Sequence, residues 1–261
     1  MPYKFGWSYY NVTPPWYSSM AQAEALPILI EAYNLTGLQI YRDTANGILN
    51  SFFLDVKDGG VTYKTNDSGW WYELYAAKDA KHPKVLNGMM WTLLALHGFY
   101  DLTHDARAKF LFDQGIISLK NNLPTYDSNG SSYYDALRTP ANYDYHNTHI
   151  ELLKKLFAIN ADKVFENYYT KWSKINMTSL SRSKSFDFQL DAHYIPFVNY
   201  GSMNGTYIGI QRNPLTVDHI ARDYYHKYQE FHDPFFKNAF LNNVNWLVEN
   251  TIKANVGGKN T

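Results

Sequence analysis

The chain has no cysteine, no net charge and no apolar run long enough to cross a bilayer. Each absence excludes a class of protein. Without thiols there are no disulfides, no zinc–thiolate centres and no cysteine nucleophile. Twenty-four basic residues balanced by 24 acidic ones leave none of the basic excess that a non-specific nucleic-acid binder uses against phosphate. Spanning hydrocarbon takes roughly 18 consecutive apolar residues, and Met1 is not followed by a secretory leader pattern. The expectation is a soluble protein with no membrane span. Its 261 residues suffice to bury a substantial core.

What the chain does have is aromatic side chains, 17% of its residues, with 23 Tyr and 7 Trp. Tyr and Trp present a flat apolar face and a polar tip, which suits the CH faces and hydroxyls of sugars, although the same residues also build helical cores. Three clusters stand out. Asn142-Tyr143-Asp144-Tyr145-His146-Asn147-Thr148-His149 gathers phenols, a carboxylate and two imidazoles just before an apolar-periodic run. Tyr133-Tyr134-Asp135-Ala136-Leu137-Arg138 lies upstream, and Trp70-Trp71-Tyr72-Glu73-Leu74-Tyr75 stands at the head of what reads as a helical stretch. Burying such groups together is costly unless they are paired, so a cleft that binds a polar ring and moves a proton is the sharper expectation. Asn-x-Ser/Thr triplets begin at Asn11, Asn34, Asn66, Asn129, Asn176 and Asn204. They point weakly to an extracytoplasmic setting.

Helical periodicity covers most of the chain. Helices are expected over Trp16–Tyr33, Gln39–Phe53, Val85–Tyr100 and Ala106–Asn122, then Thr148–Phe157 and Asp162–Ile175, and finally Thr216–Gln229 and Asp233–Asn250. Pro27 should kink or divide the first of these. Asp58-Gly59-Gly60 ahead of Val61-Thr62-Tyr63 reads as a short hairpin within Asp55–Tyr63. Thr125–Asn147 reads as a long site-bearing connection. Ser179–Ser185 reads as a linker, Tyr194–Gln211 as one or two hairpins, and Val256-Gly257-Gly258-Lys259 as a flexible tail. Paired antiparallel helices joined by such loops predict a mainly α protein: one domain over residues 1–261, an α/α toroid with small β-hairpins.

Several segments resemble the C-terminal helical domain of the D-glucuronyl C5-epimerases. They are Pro15-Trp16-Tyr17-Ser18-Ser19-Met20-Ala21-Gln22, Trp71-Tyr72-Glu73-Leu74-Tyr75, Val85-Leu86-Asn87-Gly88, Leu123-Pro124-Thr125-Tyr126-Asp127, Tyr134-Asp135 with Arg138, and Asp144 to His149. The resemblance implies inversion of glucuronate to iduronate within a heparosan-like polysaccharide. Gln211-Arg212-Asn213-Pro214 and Trp246-Leu247-Val248 are similar to the family's strand-to-helix lead-in and first toroid helix. Here they follow the other segments, as if the order were circularly permuted near Ser179–Ser185, a rotation that a closed ring of hairpins tolerates. Glu73-Leu74 stands where the family has two acids, and most of a larger β-rich region has no counterpart.

C5 of a uronate carries a proton next to a carboxylate. Removing it requires that carboxylate to be neutralised or strongly hydrogen-bonded, and inversion needs acid/base groups on both faces of the ring. No metal or redox cofactor is needed. Tyr145 is the first candidate for proton transfer, with its pKa lowered by a nearby cation from among His146, His149 and Arg138; its structural alternative is a helix cap. Glu73 is the candidate base for the opposite face, or else a partner of a lysine. Tyr134 is a donor or a substrate ligand. Arg138 is the natural carboxylate clamp, unless it pairs with Asp135, and Arg212 is a second anion contact. Asn87, His146, His149, Tyr75 and Trp71 complete the expected binding set, with Trp7, Trp16 and Trp70 as further stacking candidates. His146 and His149 share a helical face, but no metalloprotease glutamate follows, so no metal site is expected. The expected partner is an anionic uronate polysaccharide, with no nucleic acid; a homodimer is left open. A polysaccharide lyase uses the same proton abstraction. A glycoside hydrolase would pair Glu73 with Asp135 or Asp144, and a glycan-binding module would need no turnover.

Overall fold

Two helices of this chain are predominantly apolar with no distinct polar face, which suits burial on most sides. They are α1 (Ser19–Thr36) and α3 (Leu86–Thr103), and both lie on the inside. Each returns through a more amphipathic outer helix: α1 through α2 (Gln39–Ser51), α3 through α4 (Ala106–Asn122). The pattern repeats in α5 (Tyr143–Asn160) with α6 (Lys163–Trp172), and in α7 (Pro214–Phe231) with α8 (Pro234–Glu249). In this computed structural model residues 1–65, 69–78, 80–174 and 186–251 are described, with the backbone of 255–256 and 259–260.

Four inner helices pack side by side in the order α7, α1, α3, α5, and α8, α2, α4 and α6 back them on the outside. This is an α/α toroid built as an arc of four hairpins, as expected. The hairpin that comes last in the chain packs beside the first, at the opposite end of the arc from α5 and α6. None of the described helices is long and apolar enough to cross a membrane.

The link inside every hairpin is a two-residue turn of one design. Its first residue takes a left-handed conformation: Gly37 (φ 71), His104 (φ 54), Ala161 (φ 54) and His232 (φ 55). Each ties its own N–H to the helix it ends. In three of the four the next residue is an aspartate whose carboxylate accepts an N–H from the following helix: Asp105, Asp162 and Asp233. The connections from outer helix to next inner helix are long and lie at the other end.

Those long connections hold the short strands. β1 (Thr62–Lys64) pairs with β2 (Trp70–Tyr72), β3 (Asp127–Ser128) with β4 (Ser131–Ser132), and a three-stranded sheet has β6 (Pro196–Asn199) between β5 (Phe188–Leu190) and β9 (Ile210–Gln211). A small ribbon, β7 (Ser202–Met203) with β8 (Thr206–Tyr207), completes the set.

Four local expectations change. Pro27 does not divide α1, because burial among α2, α3 and α7 outweighs one missing backbone bond. Asp58-Gly59-Gly60 is not a hairpin turn. Asp55 caps a short 3-10 turn over Val56–Asp58, and a Cβ at Gly60 would lie 2.0 Å from the Leu54 carbonyl oxygen. Trp70-Trp71-Tyr72 is a strand and not a helix start, since its rings bury best when paired with β1. Helix α5 begins at Tyr143, ahead of Thr148, because the Asn142 side chain accepts the Tyr145 N–H at 2.9 Å. The expected linker at Ser179–Ser185 lies outside the described residues, as do Gly257 and Gly258 of the tail.

Of the left-handed turn residues, Ala161 is the one whose side chain gives nothing back for its strained φ. Ala161→Gly should raise stability by about 0.5–1 kcal/mol, read as a higher urea midpoint at unchanged slope.

Candidate active site

A cavity of about 430 Å³ opens where the inner helices begin. Ser18 and Met20 at the start of α1, Asn87 in the first turn of α3, Tyr145 in the first turn of α5, and Leu215 and Thr216 in that of α7 all line it. Leu74 and Tyr75 enter from the link between β2 and α3, and Tyr134 from the link before α5. Trp7, Trp16, Phe186, Phe188, Val198 and Tyr200 are also part of the wall, with Tyr3, Phe5 and Asn213.

Among the candidates, Tyr145, Tyr134, Tyr75 and Asn87 are therefore brought together. The rings of Tyr134 and Tyr145 lie 4.5 Å apart. Tyr75 stacks on Trp7 at 6.0 Å and packs against Tyr10 at 5.0 Å. Burial raises the pKa of Tyr75 and of Tyr134; nearby phenols raise Tyr134 further, while for Tyr75 the push from Tyr145 is opposed by its hydrogen bond with Tyr134. Both are held as neutral hydrogen donors. The amide oxygen of Asn87 is buried without a hydrogen-bond partner, on the cavity wall.

The stacking candidates Trp7 and Trp16 also line the cavity, and the other candidates lie outside it. Glu73 is wholly buried on the far side of its strand end, where its carboxylate accepts the Lys84 N–H at 3.2 Å and sits 3.8 Å from His82. Burial pushes its pKa up to about 8, against the opposing pull of Lys84. Leu74 takes the cavity position instead, in the turn that follows β2, with its side chain against Gly88 of α3. Trp71 is a core residue stacked on Tyr126 at 5.8 Å. Trp70 lies under the Lys64 ammonium, away from the cavity. Arg138 is solvent-exposed and makes no ion pair among the described residues. The Asp135 carboxylate is taken by the Tyr10 hydroxyl at 2.6 Å and by Thr139. Arg212 is bound to Asp191 and to the Ile195 carbonyl and lies over the Phe197 ring. Asp144 faces a separate groove beside Trp91.

His146 and His149 share one helical face, as their spacing predicts, but that face is buried. Both Nδ1 atoms meet the Ser132 hydroxyl, at 2.9 and 2.8 Å. The Ser132 N–H donates to His146 Nδ1, which leaves the proton on Nε2 to bond the Trp172 carbonyl. The two rings thus fasten the β4 loop to α5. Neither ring lines the cavity.

Residues 1–174 match the family described as D-glucuronyl C5-epimerase C-terminus. The chain belongs to that family. Over 174 residues it is 35% identical to the uncharacterized protein MJ1128 of Methanocaldococcus jannaschii, covering 65% of this chain and 56% of that one. Over 184 residues it is 33% identical to a D-glucuronyl C5-epimerase of Caenorhabditis elegans, covering 62% of this chain and 29% of the worm protein. The chain thus spans little more than half of one relative and under a third of the other. Among solved structures, an inactive variant of an α-1,6-mannanase from Salegentibacter sp. HEL1_6 is similar at a TM-score of 0.40 and 16% identity, over 93% of this chain and 63% of that one.

The family match ends at residue 174, yet the cavity wall continues through Phe186, Phe188, Val198, Tyr200 and Thr216. The aromatic residues of this wall, and Tyr3 and Phe5, were absent from the expected set. The alternation Phe186-x-Phe188 ahead of a hairpin was the available signal.

The histidine clasp makes stability depend on pH. Burial, helped by His146, holds His149 at about 3. The unfolded imidazole titrates near 6.5, so stability is complete above about pH 6.5 and is lost as pH falls toward 3. Replacing His149 by Gln should flatten this slope by up to about 1.4 kcal/mol per pH unit, measured by urea unfolding at pH 3.5 to 6.5.

Proposed function

We propose that the cavity binds a glucuronate residue of an anionic polysaccharide and inverts its C5 by proton exchange between phenols. The observation that carries this reading is the meeting of Tyr134, Tyr145 and Tyr75 in one cavity, in a chain of the glucuronyl epimerase family. Tyr145 acts as the base. It stands in the first turn of α5, on the cavity wall. It takes the C5 proton; the electron pair left at C5 delocalises into the adjacent carboxyl group. Tyr75 or Tyr134, both held protonated, returns a proton to C5 from the other face. Proton transfer among the three phenols resets the site.

The substrate carboxylate meets no arginine or lysine among the lining residues. Its support comes instead from the phenol hydroxyls, the Asn87 amide and the N-terminal ends of four inner helices. A hydrolytic reading loses ground here, because no carboxylate of the described residues lines the cavity and the paired acids it requires are absent from the wall.

Incubation with glucuronate-bearing polysaccharides in deuterated water, followed by NMR, tests this. Deuterium at C5 together with iduronate signals is expected, and Tyr145→Phe should slow exchange by about 100-fold or more while ligand binding persists. An unsaturated product absorbing in the ultraviolet would identify a lyase. Binding without exchange would identify a glycan-binding module.

A further inference from the structure

Every aromatic ring lining the cavity rests against another ring, with one exception among the described residues. Tyr3 stacks on Trp16, Phe5 and Phe186 pack on Tyr200, Trp7 stacks on Tyr75, and Tyr134 meets Tyr145. Phe188 has no ring partner and is 49% exposed, yet it lines the same cavity. It stands on β5, directly across from Val198 of β6. Side chains alternate along a strand, so Phe188 shares its face with Leu190, itself 42% exposed. An apolar rim therefore runs from the cavity outward along β5.

This face of the sheet carries no charge. Val198 and Pro196 of β6 and Gln211 of β9 are its other members by register. Arg212 lies over Phe197 on the opposite face and is held there by Asp191. An aromatic face is electronegative and prefers CH groups to a carboxylate. A uronate held inside the cavity would leave the sugars linked to it at the mouth, where this rim begins.

We propose that Phe188 is the stacking platform of an adjoining subsite for the neutral pyranose linked to the reacting uronate. The proposal rests on the reading of the cavity as a uronan site and adds a second unit to what is recognised. The subsite belongs to the segment beyond the family match, so it is a property of this chain's own C-terminal third.

The test compares methyl β-glucuronide with a hexasaccharide of alternating glucuronate and N-acetylglucosamine. Binding is read by titration calorimetry and C5 deuterium exchange by NMR in the same samples. Phe188→Ala should weaken hexasaccharide binding about five- to tenfold more than it weakens the methyl glycoside, and Phe188→Trp should restore the difference. Equal effects on both ligands, or none, would overturn the subsite, and exchange in those samples would leave the epimerase reading standing. Selective weakening without exchange in the parent protein would uphold the subsite and remove the catalytic reading. Failure of the parent protein to bind either ligand would remove both.

Discussion

The site depends on the packing of α1 between α7 and α3. That contact places apolar helices inside, and it also fixes where their ends lie. Because each inner helix returns through an outer one, all four inner helices run the same way and begin at the same end of the arc. The two-residue turns close the opposite end. The long connections must all fall at the cavity end, so residues distant in sequence, such as Trp7, Tyr75, Tyr134 and Tyr200, share one wall.

The electrostatic character of that wall follows from what the fold buries elsewhere. Glu73, His146 and His149 are close in sequence to Leu74, Tyr75 and Tyr145, yet they face the core, where each is costly unless held by neighbours. The cavity receives the uncharged members of each cluster. Gly88 makes this arrangement fit: a Cβ there would lie 2.9 Å from the Leu74 Cβ, so α3 and the Leu74 side chain can approach only at a glycine. The result is a ring of phenols and amides in which hydrogen-bond donors take the place of cations.

The C-terminal third has two parts in this arrangement. Its helices α7 and α8 extend the arc beyond α1, and its strands supply the outer cavity wall. In spatial order the arc reads α7/α8, α1/α2, α3/α4, α5/α6. That order is continuous in space, although the chain enters it in the middle. Asn213 joins the two parts: it caps α7 while accepting the Tyr3 hydroxyl and donating to that of Tyr200.

Much of this was legible before any coordinates. Helical periodicity located eight helices and so implied the α/α toroid, because apolar spacing depends on local geometry alone. Aromatic clusters around Tyr75, Tyr134 and Tyr145 marked the site for the same reason: phenols grouped in polar loops are poor core material. A signal went unused in the His-Asp and Ala-Asp turns at His104-Asp105, Ala161-Asp162 and His232-Asp233, which mark the hairpins. Sequence by itself determined which residues are helical and which clusters reach the cavity. Only tertiary structure decided which member of each cluster faces the cavity. Glu73 and Leu74 differ by one position, and a one-residue change of facing is settled by strand pairing and by the space at Gly88, neither of which a linear pattern contains.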